Sequence, residues 1–397
     1  SISDLSTLTV TAAGGITVPA QFETTSTWSD GSVKWLLVDF KADCAANANA
    51  SYSLTDRVGK SAPSTALKVD QDGKGVTIVT GPMRCRLDRE GFDLFSEVYL
   101  DHDSSGTFED GEKISRAERN NSLRLTDMQG REFSSRWGQI ESFEVEASGP
   151  VRATVAVKGK LADVDGDGEL SYAARLNFYA GTGLVRVFFT LANRNPSKVF
   201  RDEDGDAHWL LGQPGSVFFE DFSLTTKLGF DGPVVMSVGD GPRDILDRVP
   251  LKDEGGIYQE SSGGDNWYGR VHMNHKLEIP MRFRGARTFV GQVEPFKVDR
   301  PDAWLHVSDR KFGLAVAVRW FWQNFPKALT ATPGGEVRVG LFPHEWPDDH
   351  ELQGGEIKTH EVAFYFHTGP QGSSVTENRV ATVMGAFHYP LIVRAPA

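Results

Sequence analysis

The sequence predicts an all-β protein, with a small N-terminal β domain over residues 1–80 and a large antiparallel β-sandwich over 81–397. Three observations carry this. Apolar and polar residues alternate with period two almost from end to end. The 41 Gly and 19 Pro are scattered between short apolar runs, which suits many tight turns. At 397 residues the chain exceeds one ordinary sandwich and can bury two cores.

The elements follow in order. A Gly-Lys-Gly-rich hairpin gives way near Thr80 to longer strands, which sets the expected domain boundary. Val151, Ala153, Val155 and Val157 alternate with Arg152, Thr154 and Lys158, and Val185, Val187, Phe189 and Leu191 with Arg186 and Thr190. Val362, Phe364 and Phe366 alternate with Glu361, Tyr365 and His367. One segment breaks the period: Ser374 and Glu377 form a capping-box pattern, and Val380, Val383, Met384 and Phe387 recur at helical spacing until Pro390. A single short helix is predicted there.

Charge and composition exclude several functions. A net charge of −12 and a pI near 5.4 disfavour nucleic acid and anionic membranes as partners, since both need a basic footprint. A polyanionic ligand would need a locally basic cleft. No stretch approaches the ~20 apolar residues of a membrane span, and Ser1 opens no signal-like segment, so a mature or trimmed chain is expected. Cys44 and Cys85 leave one disulfide or two free thiols open. The sequons at Asn49 and Asn120 carry little weight. No Gly-rich phosphate loop, nucleophile elbow or metalloprotease helix occurs.

Residues 101–112 match a twelve-position calcium loop. Asp101, Asp103, Ser105 and Thr107 supply oxygens, Gly106 makes the sharp turn, and Glu112 can close the site with both carboxylate oxygens. The flanks read as strand and loop, so Ca2+ here would brace a connection and not act as a sensor. Asp163, Asp165 and Asp167 repeat the first half of the pattern, but Ala174 stands where the closing carboxylate belongs, and an acidic hairpin turn explains them nearly as well. For Asp202, Asp204 and Asp206 a solvated turn is favoured.

Three stretches carry a resemblance to a known family. They are Val18-Pro-Ala-Gln21 with Trp28-Ser-Asp-Gly-Ser-Val-Lys-Trp35 and Leu36 to Phe40; Tyr172 and Arg175 leading into Phe178-Tyr-Ala-Gly181 and Val185-Arg-Val187; and Leu352-Gln-Gly-Gly-Glu-Ile-Lys-Thr-His360. In this order they resemble the exo-rhamnogalacturonan lyases, pectin-degrading polysaccharide lyases that include YetA-like proteins. The resemblance implies an N-terminally incomplete RIFT-type barrel, a central β-sandwich, and an α/α toroid that this sequence lacks. No catalytic residue is carried over from it.

The residues suggest a site of their own. β-Elimination of a uronate needs a cation on the carboxylate, a base for the C5 proton and an acid for the leaving oxygen. If residues 267–277 form a strand, Tyr268, Arg270, His272, Asn274 and Lys276 share one face, and the first three supply those parts. An ordinary polar strand face is the competing explanation. Trp267 would rim a sugar site, His344 and Trp346 lie in a Pro-flanked loop, and Trp320 and Trp322 share a strand face. The expected function is an extracytoplasmic carbohydrate-active protein, secreted, periplasmic or on the cell surface, that binds or cleaves an acidic pectic glycan. The alternative is a calcium-stabilised structural or adhesive subunit of an extracellular homo-oligomeric assembly.

Overall fold

A computed structural model of the chain describes residues 2–45, 48–56, 64–115, 123–197, 200–201, 207–208, 211–369 and 374–391. The alternating segments form two nine-stranded antiparallel sheets. The back sheet runs Ile140–Ser148, Arg152–Lys160, Leu170–Tyr179, Leu184–Asn193, Ile357–Thr368, Phe312–Val318, Ala303–Ser308, Val235–Asp240 and Arg243–Pro250. The front sheet runs Glu132–Ser134, Leu123–Asp127, Val217–Lys227, Glu336–Phe342, Lys327–Ala331, Gly255–Gln259, Ala286–Val290 and Lys297–Val298, with His350–Leu352 paired to Val217–Lys227.

The core lies between them. Val155, Val157, Val187 and Phe189 from the back sheet meet Phe222, Leu224, Ile257 and Val339 from the front sheet, all fully buried. The alternation read in the sequence therefore sorts core from surface, as a half-buried sheet requires. Near residues 312–318 and 362–367 both faces are buried. The helix Ser374–His388 lays Val380, Met384 and Phe387 over Trp304, Ala315, Ala317 and Tyr365 on the outer side of the back sheet. The alanines let the helix approach closely, and the Trp304 indole donates to the Gly241 carbonyl at 2.8 Å.

The expected division at residue 80 falls inside a hairpin. Gly75–Val79 pairs with Met83–Asp88 in a five-stranded sheet that extends from Lys68 to Ser115. Val76, Ile78, Cys85 and Leu87 from its strands join the sandwich core. Burial of these side chains, not the Gly content of the turn, decides where the strands belong. The preceding unit comprises a three-stranded sheet (Ile16–Thr17, Thr9–Ala12, Tyr52–Thr55) and the hairpin Ala20–Thr27 with Val33–Phe40. The Asp-Gly-Ser turn joins the hairpin as expected, with Asp30 accepting from the Ser32 amide at 2.9 Å and Gly31 at φ 80°. Trp28 and Trp35 remain exposed. The Arg152 guanidinium ties this unit to the back sheet through Asp39 at 2.9 Å. Cys44 is exposed and Cys85 buried, both as free thiols, so the open choice resolves against a bridge. Asn49 lies exposed, and Asn120 lies outside the described residues.

Candidate functional site

Residues 267–277 do not form a strand. They make successive turns and a short 3-10 segment, Arg270–His272, so Tyr268, Arg270 and His272 share no strand face. Local hydrogen bonding replaces sheet pairing. The Asn274 carboxamide oxygen accepts from the amides of Lys276 and Glu278, both at 2.9 Å, and the His272 amide donates to Gly269 at 3.0 Å. Trp320 likewise leaves the back sheet at once. It sits at φ 58° in a turn, exposed, while the neighbouring Phe321 is buried, so Trp320 and Trp322 form no strand face.

The loop 267–277 nonetheless meets both the loop 343–349 and the segment that follows Trp320. His272 packs edge-on against Phe325 at 5.3 Å. Asn274 donates to Asp348, and the Lys276 ammonium lies 2.8 Å from Asp348 and 3.3 Å from Asp349. Asn274 and Lys276 are thus occupied in joining the two loops. The Trp267 and Tyr268 rings lie 5.3 Å apart with their planes tilted by 60°, and Tyr268 is exposed. Arg270 is exposed and makes no ion pair among the described residues. Trp346 stacks on the buried His350 at 6.4 Å.

His344 connects this rim to a basin of about 400 Å³ on the outer face of the front sheet. Its floor holds a cluster that the sequence reading missed. The Arg338 guanidinium donates to Asp221 at 3.0 Å and also to Glu345; Ser223 donates to Asp221 at 2.7 Å. The His344 amide donates to the same Asp221 carboxylate at 3.0 Å, and its Nδ1 lies 3.4 Å away. Burial works against the charge on Asp221, yet His344 and Arg338 hold its carboxyl below the ordinary value. The Asp221 hydrogen bond in turn raises the His344 pKa against the cost of burial. Arg338 and Asp221 escaped notice because one alternating strand residue gives no sign of its partner about a hundred positions away.

The loop 101–112 adopts the turn its pattern predicts. Ligand atoms of Asp101, Asp103 and Glu112 lie within 4.8 Å of one another, and Glu112 is buried. Gly106 takes φ 77° and Ser104 φ 61°. The Ser105 and Thr107 hydroxyls are 2.9 Å apart. The flanking strands Glu97–Leu100 and Lys113–Ser115 pair with each other, so the loop closes a hairpin. At 163–167, Asp163 Oδ1 instead accepts from the amides of Asp165 and Asp167, both at 3.0 Å, within the turn joining Arg152–Lys160 to Leu170–Tyr179. Asp202 and Asp204 lie outside the described residues, as does Asp206.

Comparison with known proteins agrees with this architecture. Residues 67–200 match the family described as PcRGLX-like protein central beta sandwich domain. The chain is 20% identical over 349 residues to the uncharacterized protein YetA of Bacillus subtilis, covering 83% of this chain and 39% of YetA. An α-mannosidase from Enterococcus faecalis superposes with a TM-score of 0.52 at 11% identity, over 97% of this chain and 40% of its own. A glycosyl hydrolase family 38 protein from Enterococcus faecalis gives 0.51 at 9% identity, over 97% and 41%. At such identities the two structures show a shared fold alone. The chain spans about two fifths of the length of these relatives.

Proposed function

We propose, for a chain that belongs through its central β-sandwich to the PcRGLX/YetA-like family of carbohydrate-active proteins, a role in binding a uronate-containing polysaccharide outside the cytoplasm. The observation that carries this reading is the joining of loop 267–277 to loop 343–349 through Lys276 and Asp348, the latter loop supplying His344 to the basin. Within the first loop, Arg270 makes no ion pair among the described residues and follows the Trp267–Tyr268 pair in sequence.

The basin cannot itself hold a polyanion. Asp221 and Glu345 neutralise Arg338, and Glu220, Glu254 and Glu336 stand around it. A uronate carboxylate would therefore sit at the rim, where Arg270 can grip it with two charge-assisted hydrogen bonds. The aromatic pair offers apolar surface to the sugar's C–H groups. Binding is the step these residues support best. Cleavage by β-elimination requires a base and an acid beside the same sugar, and Tyr268, Arg270 and His272 no longer supply all three parts from one face.

Calorimetric titration with pectic oligosaccharides tests the reading. Arg270→Ala is expected to weaken binding about ten-fold or more, from ~1.5–3 kcal/mol for a hydrogen bond to a charged group. Failure of the parent protein to bind any uronate glycan overturns it.

A further inference from the structure

The strand Met83–Asp88 turns Met83, Cys85 and Leu87 into the core, which leaves Arg84, Arg86 and Asp88 on the outer face of the five-stranded sheet. There, with Thr77, Glu97 and Tyr99, they line a concavity of about 460 Å³. It belongs to a different sheet from the basin beside His344.

Most of its charges already have partners. Arg86 donates to Asp72 and to Asp88, both at 2.9 Å, and to the Thr77 hydroxyl at 3.3 Å. Glu97 accepts from the Lys113 ammonium at 2.5 Å. Arg84 differs. Its guanidinium carbon lies 3.9 Å from the centre of the buried Tyr99 ring and 5.3 Å from that of Phe108, which the loop 101–112 contributes. Arg84 is half-buried, with surface still open to solvent, and it makes no hydrogen bond or ion pair among the described residues. Stacking engages the flat face of the guanidinium and fixes its plane, while the N–H donors around its edge stay free for a ligand.

The chemistry of this face restricts what that ligand is. Five N–H donors in one plane match a carboxylate, which can accept two of them at once. Arg84 brings one positive charge, and Arg86 and Lys113 are met by Asp72, Asp88 and Glu97, so a single negative charge finds a partner and a second does not. The Asp88 and Glu97 carboxylates retain lone pairs beyond those their ion pairs use, and these can accept from hydroxyl groups. The Thr77 hydroxyl accepts from Arg86 and keeps its own proton to give. We propose that this concavity binds a small hydroxylated monocarboxylate of the sugar-acid class, with its carboxylate on Arg84 and its hydroxyls on Asp88, Glu97 and Thr77. The site is separate from Arg270 and does not depend on the role given to that residue.

Titration of the Arg270→Ala chain, by calorimetry or NMR, tests this, because that variant takes the rim out of the readings. Saturable binding of galacturonate is expected. Acetate, which lacks hydroxyls, should bind at least about five-fold more weakly, and galactose and inorganic phosphate at least about ten-fold more weakly. Adding Arg84→Gln should weaken galacturonate binding about ten-fold or more and leave the melting temperature in place, since Arg84 has no polar partner within the fold. Should that variant fail to fold, Arg84→Lys keeps the charge and the stem without the paired donors, and it should still weaken binding several-fold. The inference is overturned if galacturonate binding does not saturate, if galactose, acetate or phosphate binds as tightly, or if the Arg84 variants retain the full affinity. Failure of the uronate site at the rim would appear instead as equal binding of pectic oligosaccharides by the parent and by Arg270→Ala, with these readings unchanged.

Discussion

Lys327 sits in an environment that its residue type does not suggest. Its side chain is buried at the end of the front sheet, where its ammonium donates to the Pro326 carbonyl at 2.9 Å and also to that of Asn324. Burial, reinforced by Lys358, pushes its pKa down to about 7 from 10.5. Between those values the unfolded chain binds a proton that the folded chain does not, so this residue makes stability rise with pH from about 7 upward. Lys327→Met should remove that component. Melting temperatures at pH 7 and 9.5 are expected to climb in the parent and to climb distinctly less in the variant; equal slopes would refute the assignment. Asp221 and Arg338 show the same limit on residue-level reading. Each looks like an ordinary polar position in its strand, and their pairing at 3.0 Å depends on two strands 117 residues apart in sequence.

At the scale of elements, the loop 101–112 is the one whose turn was most legible. Twelve consecutive positions contain the donors and the turn, so no distant strand is needed to assemble them. The convergence of Asp101, Asp103 and Glu112 supports the proposal that Ca2+ braces the hairpin of Glu97–Leu100 and Lys113–Ser115. An ion that binds the folded chain alone stabilises it by linkage. Chelation by EDTA should lower the melting temperature, and added Ca2+ should restore it. A transition that ignores both would show the loop to be a self-sufficient turn. The segment 267–277 is the opposite case. Its alternation suggested a strand, but Asn274 and the glycines before it satisfy the backbone locally, and no neighbouring edge competes successfully for those amides.

At the scale of the whole molecule, buried imidazoles set the acid side of stability. Burial pushes His350 and His367 down to about 4, and His306 and His360 well below 6.5. All four bind protons in the unfolded chain as pH falls below 6.5, while the folded chain keeps them neutral, so stability should decline from pH 6.5 toward 4. Asp93, raised to about 7 by burial despite Arg136, works in the opposite direction over the same window. His388, also lowered by burial, adds to the four, and Asp244, raised by burial and by Asp247, joins Asp93, so five imidazoles against two carboxyls predict a net loss. Denaturant unfolding at pH 6.5 and 4.5 checks this, and His350→Gln should make the decline shallower. A protein no less stable at pH 4.5 would contradict the burial of these rings.

The all-β class, the buried faces at Val151–Val157 and Val185–Leu191, the C-terminal helix and the turn at 101–112 were determined by the sequence alone. Each rests on a period or spacing within a dozen or so neighbouring residues, and covalent geometry converts such a pattern directly into a face or a turn. Only the tertiary structure decided that the strand Gly75–Val79 belongs with the sandwich core, that loops 267–277 and 343–349 meet through Lys276 and Asp348, and that Arg338, Asp221, His344 and Glu345 form one cluster. These depend on strand order and register across the front sheet. Period-two patterning specifies which face of a strand is buried but not which strand lies beside it, because any suitably apolar neighbour satisfies the same alternation.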